Sequence, residues 1–423
     1  MTAEPVTTSS TAQVETYRRQ RGFLEREVTR RDGSSITSRV AVSGTAVAGI
    51  EQMNDLWATH ELAWLRGGSD YNGISGSAVG IVDLFSGCGG LTVGAQEAAR
   101  ALGRPIDVQL AVDLDADALS VYEANFAPRE AVADPIQSLV DRSPGQSLSF
   151  SERTLRRQLD GVDIVLGGPP CQGHSSLNNH TRRDDPKNEL YLTMARFAEV
   201  VRPQNVLIEN VPDVVHSRLD VVTETARILR ALGYTVSSGV VRAVDLGIPQ
   251  TRRRHLMVAT RGPLPAGIAE MVLAHRRTHR SVSWAIRDLT AGGDGPFDTS
   301  SVPSATNMRR MRYLFDHNLH ELPDSERPDC HRLKKHTYTS VYGRMYADRP
   351  APTITSGFGS MGQGRFVHPD FPRTVTPHEA ARLQGFPDHF SFAAARNRSA
   401  LARMIGNAVP SRLAYVPVLE MLR

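Results

Sequence analysis

One cysteine in this sequence lies in a setting that favours covalent chemistry. Cys171 occurs in the segment GGPPCQGHSS, residues 167–176, between a pair of prolines and a Gln-Gly pair. The prolines restrict the backbone and the flanking glycines allow a sharp turn, so the thiol would be pre-positioned with little entropy left to lose. Because a thiolate is a strong nucleophile, Cys171 is a candidate catalytic residue. For Cys88 and Cys330 we expect the usual fate of a free cysteine, a small buried hydrophobe.

A carboxylate and two guanidinium groups supply further candidates. Glu209 follows the apolar run VLI in the segment IENV, where partial desolvation suits it to donating or sharing a proton. Arg252 and Arg254 are two residues apart in the strand-like run QTRRRHLMVAT, so they would project from one face. Two guanidinium groups on one face suit carboxylate, carbonyl or phosphate oxygens. The structural alternatives are a helix-capping or salt-bridging glutamate and a solvated basic strand.

A glycine-rich turn predicts a nucleoside site. The loop SGCGG, residues 86–90, joins the apolar run IVDLF to a helix-like segment, so a ligand could approach the backbone at a helix N-terminus. Thr92 stands where the fingerprint GxGxxG has its last glycine, which disfavours a dinucleotide. Asp113 ends the next strand, 23 residues after Gly90 (113 − 90), where a carboxylate can accept hydrogen bonds from both ribose hydroxyls. A purely structural tight turn is the alternative.

Predicted strands bring these residues to one edge of a sheet. Short, nearly continuous apolar runs alternate with helix-like segments, which predicts an open, mostly parallel α/β sheet covered on both faces. The strand-like runs are AVGIVDLF, VQLAVDL, GVDIVL and QNVLIEN. Open α/β sheets bind ligands at the carboxyl ends of their strands. The residues that fall there are Asp83, Phe85, Asp113, Cys171 and Glu209.

The rest of the chain is organised differently. Residues 1 to about 13 are Ser/Thr-rich and are predicted to be disordered. Val14–Arg31 is predicted to be helical, and residues 50–66 to form an amphipathic helix that packs on the main domain. The region from 262 to about 340 is polar and irregular. Between Arg252 and Arg349, 17 Lys and Arg against 10 Asp and Glu give an excess of +7 (17 − 10), which exceeds the +4 of the whole chain.

Composition limits the class of protein. The 423 residues are 40% hydrophobic and 22% charged, which suggests two or three domains with sizeable cores. Apolar windows stay well short of a membrane span, and the start MTAEPVTTSSTAQVE lacks the basic and apolar regions of a secretory signal. The three cysteines lack CxxC or His-pair spacing, so we expect neither disulfides nor structural zinc. A reducing cytosol fits this composition, and the pI of about 9.1 permits an anionic partner.

Six motifs, in order, resemble those of the cytosine-5 DNA methyltransferases. They are DLFSGCGGL, GGPPCQGHS, IENV, QTRRR, RPAPTITSG and IGNAVP. The resemblance covers about 80–260 and about 340–423. It implies a Rossmann-like class I methyltransferase fold with a smaller, mostly irregular or β target-recognition domain. It also implies S-adenosylmethionine as methyl donor, S-adenosylhomocysteine as product, no metal, and a cytosine flipped out of double-stranded DNA as substrate.

The resemblance also implies roles for individual residues. Cys171 would attack carbon 6 of cytosine, Glu209 would be the acid beside ring nitrogen 3, and Arg254 would bind the base carbonyl, with Arg252 beside it in the catalytic group. The cofactor side would comprise Asp83, Phe85, Ser86, Gly87, Cys88, Gly89, Gly90, Asp113, Leu114, Asp134, Pro169, Asn407 and Val409. In this set, Asp113 would bind the ribose and Asp134 the adenine amino group. Asn407 and Val409 would close the methionine side of the site.

This assignment divides the chain into four parts. An N-terminal extension, 1–75, precedes a catalytic domain, 76–261, a target-recognition domain, 262–375, and C-terminal helices, 376–423, that return to the catalytic domain. We expect a monomer in the bacterial cytosol or nucleoid that methylates a short specific DNA sequence. We expect it to function in restriction–modification or phage defence, and any partner proteins would belong to that system. The basic N-terminal run is expected to add modest DNA affinity through Arg18, Arg19, Arg21, Arg30 and Arg31.

Three alternatives remain open. A tRNA cytosine-5 methyltransferase shares this catalytic core, although the basic insert before RPAPTITSG favours DNA. A catalytically silent DNA-binding regulator on the same scaffold is disfavoured because Cys171 and Glu209 are both present. A Rossmann dehydrogenase is disfavoured by the missing glycine at Thr92.

Overall fold

The computed structural model describes residues 14–42, 54–68, 74, 76–170, 189–217, 220–264, 266–289, 293–332 and 341–423, without the side chains at 189 and 330. The predicted disorder of residues 1–13 falls outside these ranges, and so does Cys171. The described residues form a central seven-stranded sheet between layers of helices, with a three-stranded sheet at the N-terminal end.

The N-terminal extension begins with an antiparallel sheet. Its strands are β1 (Glu15–Gln20), β2 (Phe23–Thr29) and β3 (Ser35–Ala41), in that order. The helix predicted for Val14–Arg31 is therefore wrong. Alternate residues of β2 face inwards, and the inward position between Leu24 and Val28 is taken by Arg26, which is 1% exposed. This buried arginine hides the period of two that marks a half-buried strand.

Helix α1 (Leu56–Leu65) follows this sheet and is buried on every side. Its residues from Trp57 onwards are all buried, so the prediction of an amphipathic helix is wrong. Trp57 packs so closely on Gly247 that a Cβ at that glycine would lie 2.1 Å from the indole. The guanidinium of Arg412 stands over the same ring, 5.2 Å from its centroid. The predicted packing of this helix on the main domain is confirmed.

The central sheet has the order β6-β5-β4-β7-β8-β10-β9. Its strands are β4 (Val79–Leu84), β5 (Ile106–Val112), β6 (Ala131–Val132), β7 (Ile164–Gly167), β8 (Asn205–Asn210), β9 (Tyr234–Arg242) and β10 (Arg253–Arg261). From β6 to β8 the neighbours pair in parallel, whereas β10 runs antiparallel to both β8 and β9. The four runs predicted as strands are β4, β5, β7 and β8, and the predicted α/β sheet is confirmed.

Helices cover both faces of this sheet. They are α2 (Gly90–Ala101), α3 (Ala116–Phe126), α4 (Phe150–Gln158), α5 (Glu189–Val201) and α6 (Val221–Ala231). Every residue of β4 and β8 is buried, which explains why these strands are continuous apolar runs. Ile81 belongs to the apolar cluster on one face and Val82 to the cluster on the other. The sheet therefore holds the loops at its carboxyl edge on a rigid base.

Residues 262–375 contain little regular structure. The helices described there are α7 (Ile268–Ala274), α8 (Val282–Ile286), α9 (Ala305–Asp316) and α10 (Asp329–Arg332). Around α9 lies a small apolar cluster of its own, formed by Met311, Leu314, Leu322, Met361 and Val367. The other described backbone is irregular, as predicted, with isolated bridges such as Arg344 to Val367. The boundaries at 262 and 375 stay predictions.

The chain returns to the central sheet through its C-terminal helices. They are α11 (Pro377–Leu383), α12 (Arg398–Asn407) and α13 (Ser411–Leu422). Helix α13 packs along α2 at backbone distance, since a Cβ at Gly94 would lie 2.0 Å from the carbonyl oxygen of Ser411. This contact brings the segment before α13 next to the glycine loop. No helix in the described part of the chain has the length and apolar character needed to span a membrane.

Candidate active site

The glycine loop connects β4 to α2 and meets the C-terminal segment. Phe85 and Gly89 adopt positive φ values of 57° and 99°, and Gly89 is the residue before the first turn of α2. A Cβ at Gly90 would lie 2.3 Å from the carbonyl oxygen of Val409. A glycine is therefore required where these two segments touch. Asn407 lies exposed just before this contact, so the loop and the GNAV segment border one site.

Asp113 ties the glycine loop to the start of α3. Its two carboxylate oxygens accept hydrogen bonds from the backbone N–H groups of Gly87 and Asp115, each at 2.7 Å. Burial raises the pKa of Asp113, although these hydrogen bonds oppose the rise. Each oxygen keeps a further lone pair that could accept a ligand hydroxyl. The neighbouring Leu114 is 70% exposed, which leaves an apolar side chain beside this carboxylate.

Asp83 lies at the end of β4, beneath the loop. One of its oxygens accepts a hydrogen bond of 2.6 Å from the Thr92 hydroxyl, which also contacts the Tyr122 hydroxyl at 2.8 Å. The other oxygen has no hydrogen-bond partner among the described residues, and the same is true of the buried Ser86 hydroxyl. Burial, with the charge of Asp113, raises the pKa of Asp83 to about 7. The loop therefore has polar atoms that protein groups do not satisfy.

Other predicted residues take distinct positions. Asp134 follows β6 and is exposed at the same edge of the sheet. The Cys88 side chain is 1% exposed, and burial raises the pKa of its thiol to about 12. Cys88 is thus the small buried hydrophobe that was predicted, and its thiol is unsuited to act as a nucleophile.

Glu209 and Arg254 form an ion pair at the end of β8. The antiparallel register places Leu256 opposite Glu209, so Arg254, two residues earlier, projects from the same face. Its Nε lies 2.6 Å from Oε1 of Glu209. The carboxylate is 7% exposed, and its charge adds to burial in raising the pKa of Tyr191. A carboxylate and a guanidinium therefore share one small pocket.

The segment that leads to Cys171 runs between this pocket and the glycine loop. The side-chain amide of Asn210 donates a hydrogen bond of 3.2 Å to the carbonyl oxygen of Pro169. A Cβ at Gly168 would lie 3.4 Å from Oε2 of Glu209 and 3.9 Å from Cγ2 of Val409. Gly168 is thus the point at which the two halves of the site meet. Cys171 itself lies just outside the described residues.

Arg252 lies apart from that pocket. It is 3% exposed, and its guanidinium donates to the carbonyl oxygens of Ile354, at 2.7 Å, and Gly406, at 3.2 Å. The two arginines that the sequence placed on one face therefore have different partners. Two buried glutamines, Gln250 and Gln384, contact the same segments. Neither glutamine was predicted, because no local pattern marks them: Gln250 precedes a run of three arginines by one residue, and Gln384 lies two residues after Arg382.

Comparison with known proteins agrees with this geometry. Residues 79–422 match the family model described as C-5 cytosine-specific DNA methylase. The Type II methyltransferase M1.BsuMI of Bacillus subtilis (strain 168) is 46% identical over 402 residues, covering 95% of this chain and 93% of that protein. The Type II methylase M.HgiDII of Herpetosiphon aurantiacus is 30% identical, with 79% and 93% covered. This chain belongs to the C-5 cytosine-specific DNA methylase family. It is a DNA (cytosine-5)-methyltransferase.

Solved structures support the fold of this methyltransferase. The methyltransferase EhMeth of Entamoeba histolytica superposes with a TM-score of 0.58 at 18% identity, over 81% of this chain and 98% of its own. The Dnmt2 methyltransferase of S. pombe gives a TM-score of 0.56 at 18% identity, with the same coverage. The family match begins at residue 79, so the N-terminal sheet lies outside it. The alignment with M1.BsuMI takes in most of that extension, because it covers 95% of the chain.

Proposed function

We propose that this DNA methyltransferase acts through a covalent bond between Cys171 and carbon 6 of a flipped cytosine. The observation that carries the proposal is the junction at Gly168. There the segment that follows β7 and leads to Cys171 faces both residues, since a Cβ added at Gly168 would lie within van der Waals distance of Glu209 and Val409. Asn210 holds the carbonyl oxygen of Pro169, so the backbone before the cysteine is fixed beside the acid. A nucleophile mounted there would need little reorganisation to reach a base held by Glu209.

The described residues fit S-adenosylmethionine as the methyl donor. The unsatisfied polar atoms of Asp83 and Ser86 lie beneath the glycine loop, where a polar ligand would complete their hydrogen bonding. Asp113 would hold the ribose hydroxyls, and the exposed Leu114 would cover an apolar ring face. The remaining residues proposed for this pocket are Phe85, Gly87, Cys88, Gly89, Gly90, Asp134, Pro169, Asn407 and Val409. When bound, this cofactor supplies the methyl group.

Glu209 and Arg254 suit the charge changes on the base. Addition of the Cys171 thiolate to carbon 6 pushes electron density toward ring nitrogen 3 and the adjacent carbonyl oxygen, and makes carbon 5 nucleophilic. Those two ring positions are neighbours, and so are the Glu209 carboxylate and the Arg254 guanidinium, 2.6 Å apart. Glu209 would hold a proton at nitrogen 3 while Arg254 donates to the oxygen. After methylation, a base removes the carbon 5 proton and the thiolate leaves.

Double-stranded DNA is the proposed substrate. The proposed setting is restriction–modification or phage defence in the bacterial cytosol. The named relatives are Type II methyltransferases, which supports methylation within a short specific sequence. Extruding a base costs a few kcal/mol, which phosphate contacts must offset. The basic region after Arg252 would supply those contacts. We propose that the protein acts as a monomer.

Bisulfite sequencing of DNA from cells that express the protein tests this function. We expect methylated cytosines within one short sequence motif, and none above background with Cys171→Ser. Purified protein should methylate duplex DNA and leave tRNA unmodified. Methylation of tRNA alone would favour the tRNA enzyme instead, and methylation that survives Cys171→Ser would rule out this nucleophile.

A further inference from the structure

Three buried polar side chains form a network outside the proposed reacting groups. Gln250, Arg252 and Gln384 are at most 3% exposed. Nε2 of Gln250 donates to Oε1 of Gln384 at 2.9 Å and to the carbonyl oxygen of Leu383 at 3.2 Å. We call these three side chains the buried network. Its two glutamine amides are joined directly. Arg252 shares one backbone segment with Gln250 and another with Gln384.

The first of these segments contains Ile354, in the motif RPAPTITSG. Its N–H donates to Oε1 of Gln250 at 3.0 Å, and its carbonyl oxygen accepts from Arg252 at 2.7 Å. The segment is therefore held from both sides by residues that immediately precede β10. It also packs on Gly406, where an added Cβ would lie 2.1 Å from the N–H nitrogen of Ser356. A shift in one segment must therefore move the other.

The second segment is the turn that presents Asn407. The amide of Gln384 donates to the carbonyl oxygens of Ile405, at 2.7 Å, and Ala408, at 3.4 Å. Arg252 donates to the carbonyl oxygen of Gly406, between them. Three of the four carbonyl groups from Ile405 to Ala408 are thus bound by two side chains, while Asn407 remains exposed. The network consequently holds the backbone from which the Asn407 side chain projects.

We infer that the buried network positions the cofactor-side turn relative to the base-side strand, and that Arg252 is a positioning residue and not a ligand of the base. This inference rests on the proposed function, in which Asn407 borders the cofactor and Arg254 binds cytosine. Arg252 directly precedes β10, which carries Arg254, so the same side chain anchors both halves of the site. Buried hydrogen-bonded side chains of this kind favour one arrangement of the segments that they join.

Measuring cofactor binding in the absence of DNA distinguishes an arginine that positions the cofactor site from one that binds the base. We would titrate S-adenosylhomocysteine into the purified protein by calorimetry and compare Arg252→Met, Gln384→Met and Arg254→Met. Loss of the network contacts should weaken binding about tenfold in the first two variants. Arg254→Met should bind within twofold of wild type, because the described contacts of that side chain are with Glu209 and the Arg253 carbonyl oxygen and not with the segment that carries Asn407. Arg252→Lys, which keeps one donor, should recover part of the affinity.

Arg196→Met is the matched control, since it removes an equally buried guanidinium, which is held by Glu152 and lies on α5. It should lower the melting temperature without changing the dissociation constant, and Gln384→Met keeps the test intact if Arg252→Met fails to fold. Unchanged affinity in both network variants would overturn this inference while leaving the proposed function standing. Wild-type protein that binds no S-adenosylhomocysteine would overturn both.

Discussion

Gly168 is the residue at which the two halves of the site meet. Its missing side chain leaves space between the Glu209 carboxylate and Val409, with hypothetical Cβ distances of 3.4 and 3.9 Å. These are ordinary contact distances, so a methyl group would fit without displacing the backbone. It would nevertheless occupy the volume in which base and methyl donor are proposed to approach each other.

We predict that Gly168→Ala folds normally and methylates poorly. The change should alter the free energy of unfolding by less than about 1 kcal/mol, because no clash is created. The turnover rate should fall about a hundredfold, since small displacements of reacting groups have effects of that size. Melting curves and single-turnover methylation assays check the two parts. Normal turnover in Gly168→Ala would show that the reacting groups do not meet beside this glycine.

At the level of single residues, the sequence predicts which functional groups are present better than it predicts where the side chains point. Glu209 and Arg254 share a pocket, as their residue types and strand positions suggest. Arg252 has the same spacing from Arg254 that predicts a common face, yet its guanidinium is taken up by backbone carbonyl groups. Those acceptors lie more than 100 residues away along the chain, so no local pattern could reveal them.

His275 directly follows α7 and contacts two further elements, β1 and α13. Its Nδ1 lies 3.3 Å from Glu15 of β1, and its Nε2 lies 2.7 Å from Glu420 of α13. With carboxylates on both ring nitrogens, the imidazole must carry two protons to satisfy both. Burial lowers the pKa of His275, but the two carboxylates outweigh it and the pKa is raised. Arg277 and Arg423 also pair with these carboxylates.

A pH-dependent loss of stability should follow from this arrangement. Because the pKa of His275 in the folded state exceeds its ordinary value of 6.5, its ion pairs contribute fully below pH 6.5 and are lost as the pH rises through the raised value. We predict that His275→Gln costs about 2 kcal/mol near pH 6, the scale of a hydrogen bond to a charged group, and progressively less at alkaline pH. Urea unfolding between pH 5.5 and 9 measures this difference.

His279→Gln serves as the control for this prediction. His279 is close in sequence but half exposed, and it pairs with Asp245 at 3.3 Å. Its replacement removes an exposed ion pair, so it should cost less than about 1 kcal/mol near pH 6. His378, between Asp298 and Asp388, also has a raised pKa, so only the difference between wild type and His275→Gln isolates His275. A difference that stays constant over the whole pH range would contradict the proposed imidazolium.

Regular elements were predictable where burial follows a simple period. The strands β4 and β8 are buried on both faces, and their unbroken apolar runs identify them. In β2 the inward-facing Arg26 pairs with Glu97 of α2 at 2.9 Å, so the strand pattern is broken by a charge whose partner is distant in sequence. Such a long-range ion pair cannot be read from a local window.

Over the whole molecule, some arginines bind carbonyl groups of the protein itself, and others are exposed to solvent. In the N-terminal extension, Arg30 and Arg31 donate to the carbonyl oxygens of Leu102 and Glu420. Leu102 ends α2, about 18 Å from its first residue at a rise of 1.5 Å per residue. Arg30 therefore holds the extension to the far end of α2, away from the glycine loop, and Arg31 holds it to the C-terminal end of α13. The contribution to DNA affinity that we expect from Arg30 and Arg31 stays a prediction. The position of these two side chains, away from the glycine loop, disfavours it.

Helix α9 carries outward charge in the basic region. Arg309 and Arg312 are exposed and form no ion pair with another described residue, whereas Arg310 turns inwards and donates to the carbonyl oxygen of Glu326 at 2.9 Å. We predict that Arg309→Gln with Arg312→Gln weakens duplex binding equally for all sequences. The slope of log affinity against log salt should fall by about two, at roughly 0.9 per phosphate contact. Fluorescence anisotropy at several salt concentrations measures it.

The control for that prediction is Arg227→Gln with Arg230→Gln, which removes two exposed charges from α6. It should leave the slope nearly unchanged, since these side chains lie on a helix that covers the central sheet. Equal slopes for both double variants would show that α9 makes no phosphate contacts.

The covalent bond between enzyme and base is the central claim, and trapping tests it most directly. The purified protein would be incubated with S-adenosylmethionine and a duplex that carries 5-fluorocytosine at the methylated position, then denatured. Fluorine at carbon 5 leaves no proton to remove, so the adduct should persist as a protein–DNA band, and Cys171→Ser should give none. Failure of a protein that methylates ordinary duplex to form this band, or a band that persists in Cys171→Ser, would contradict the account.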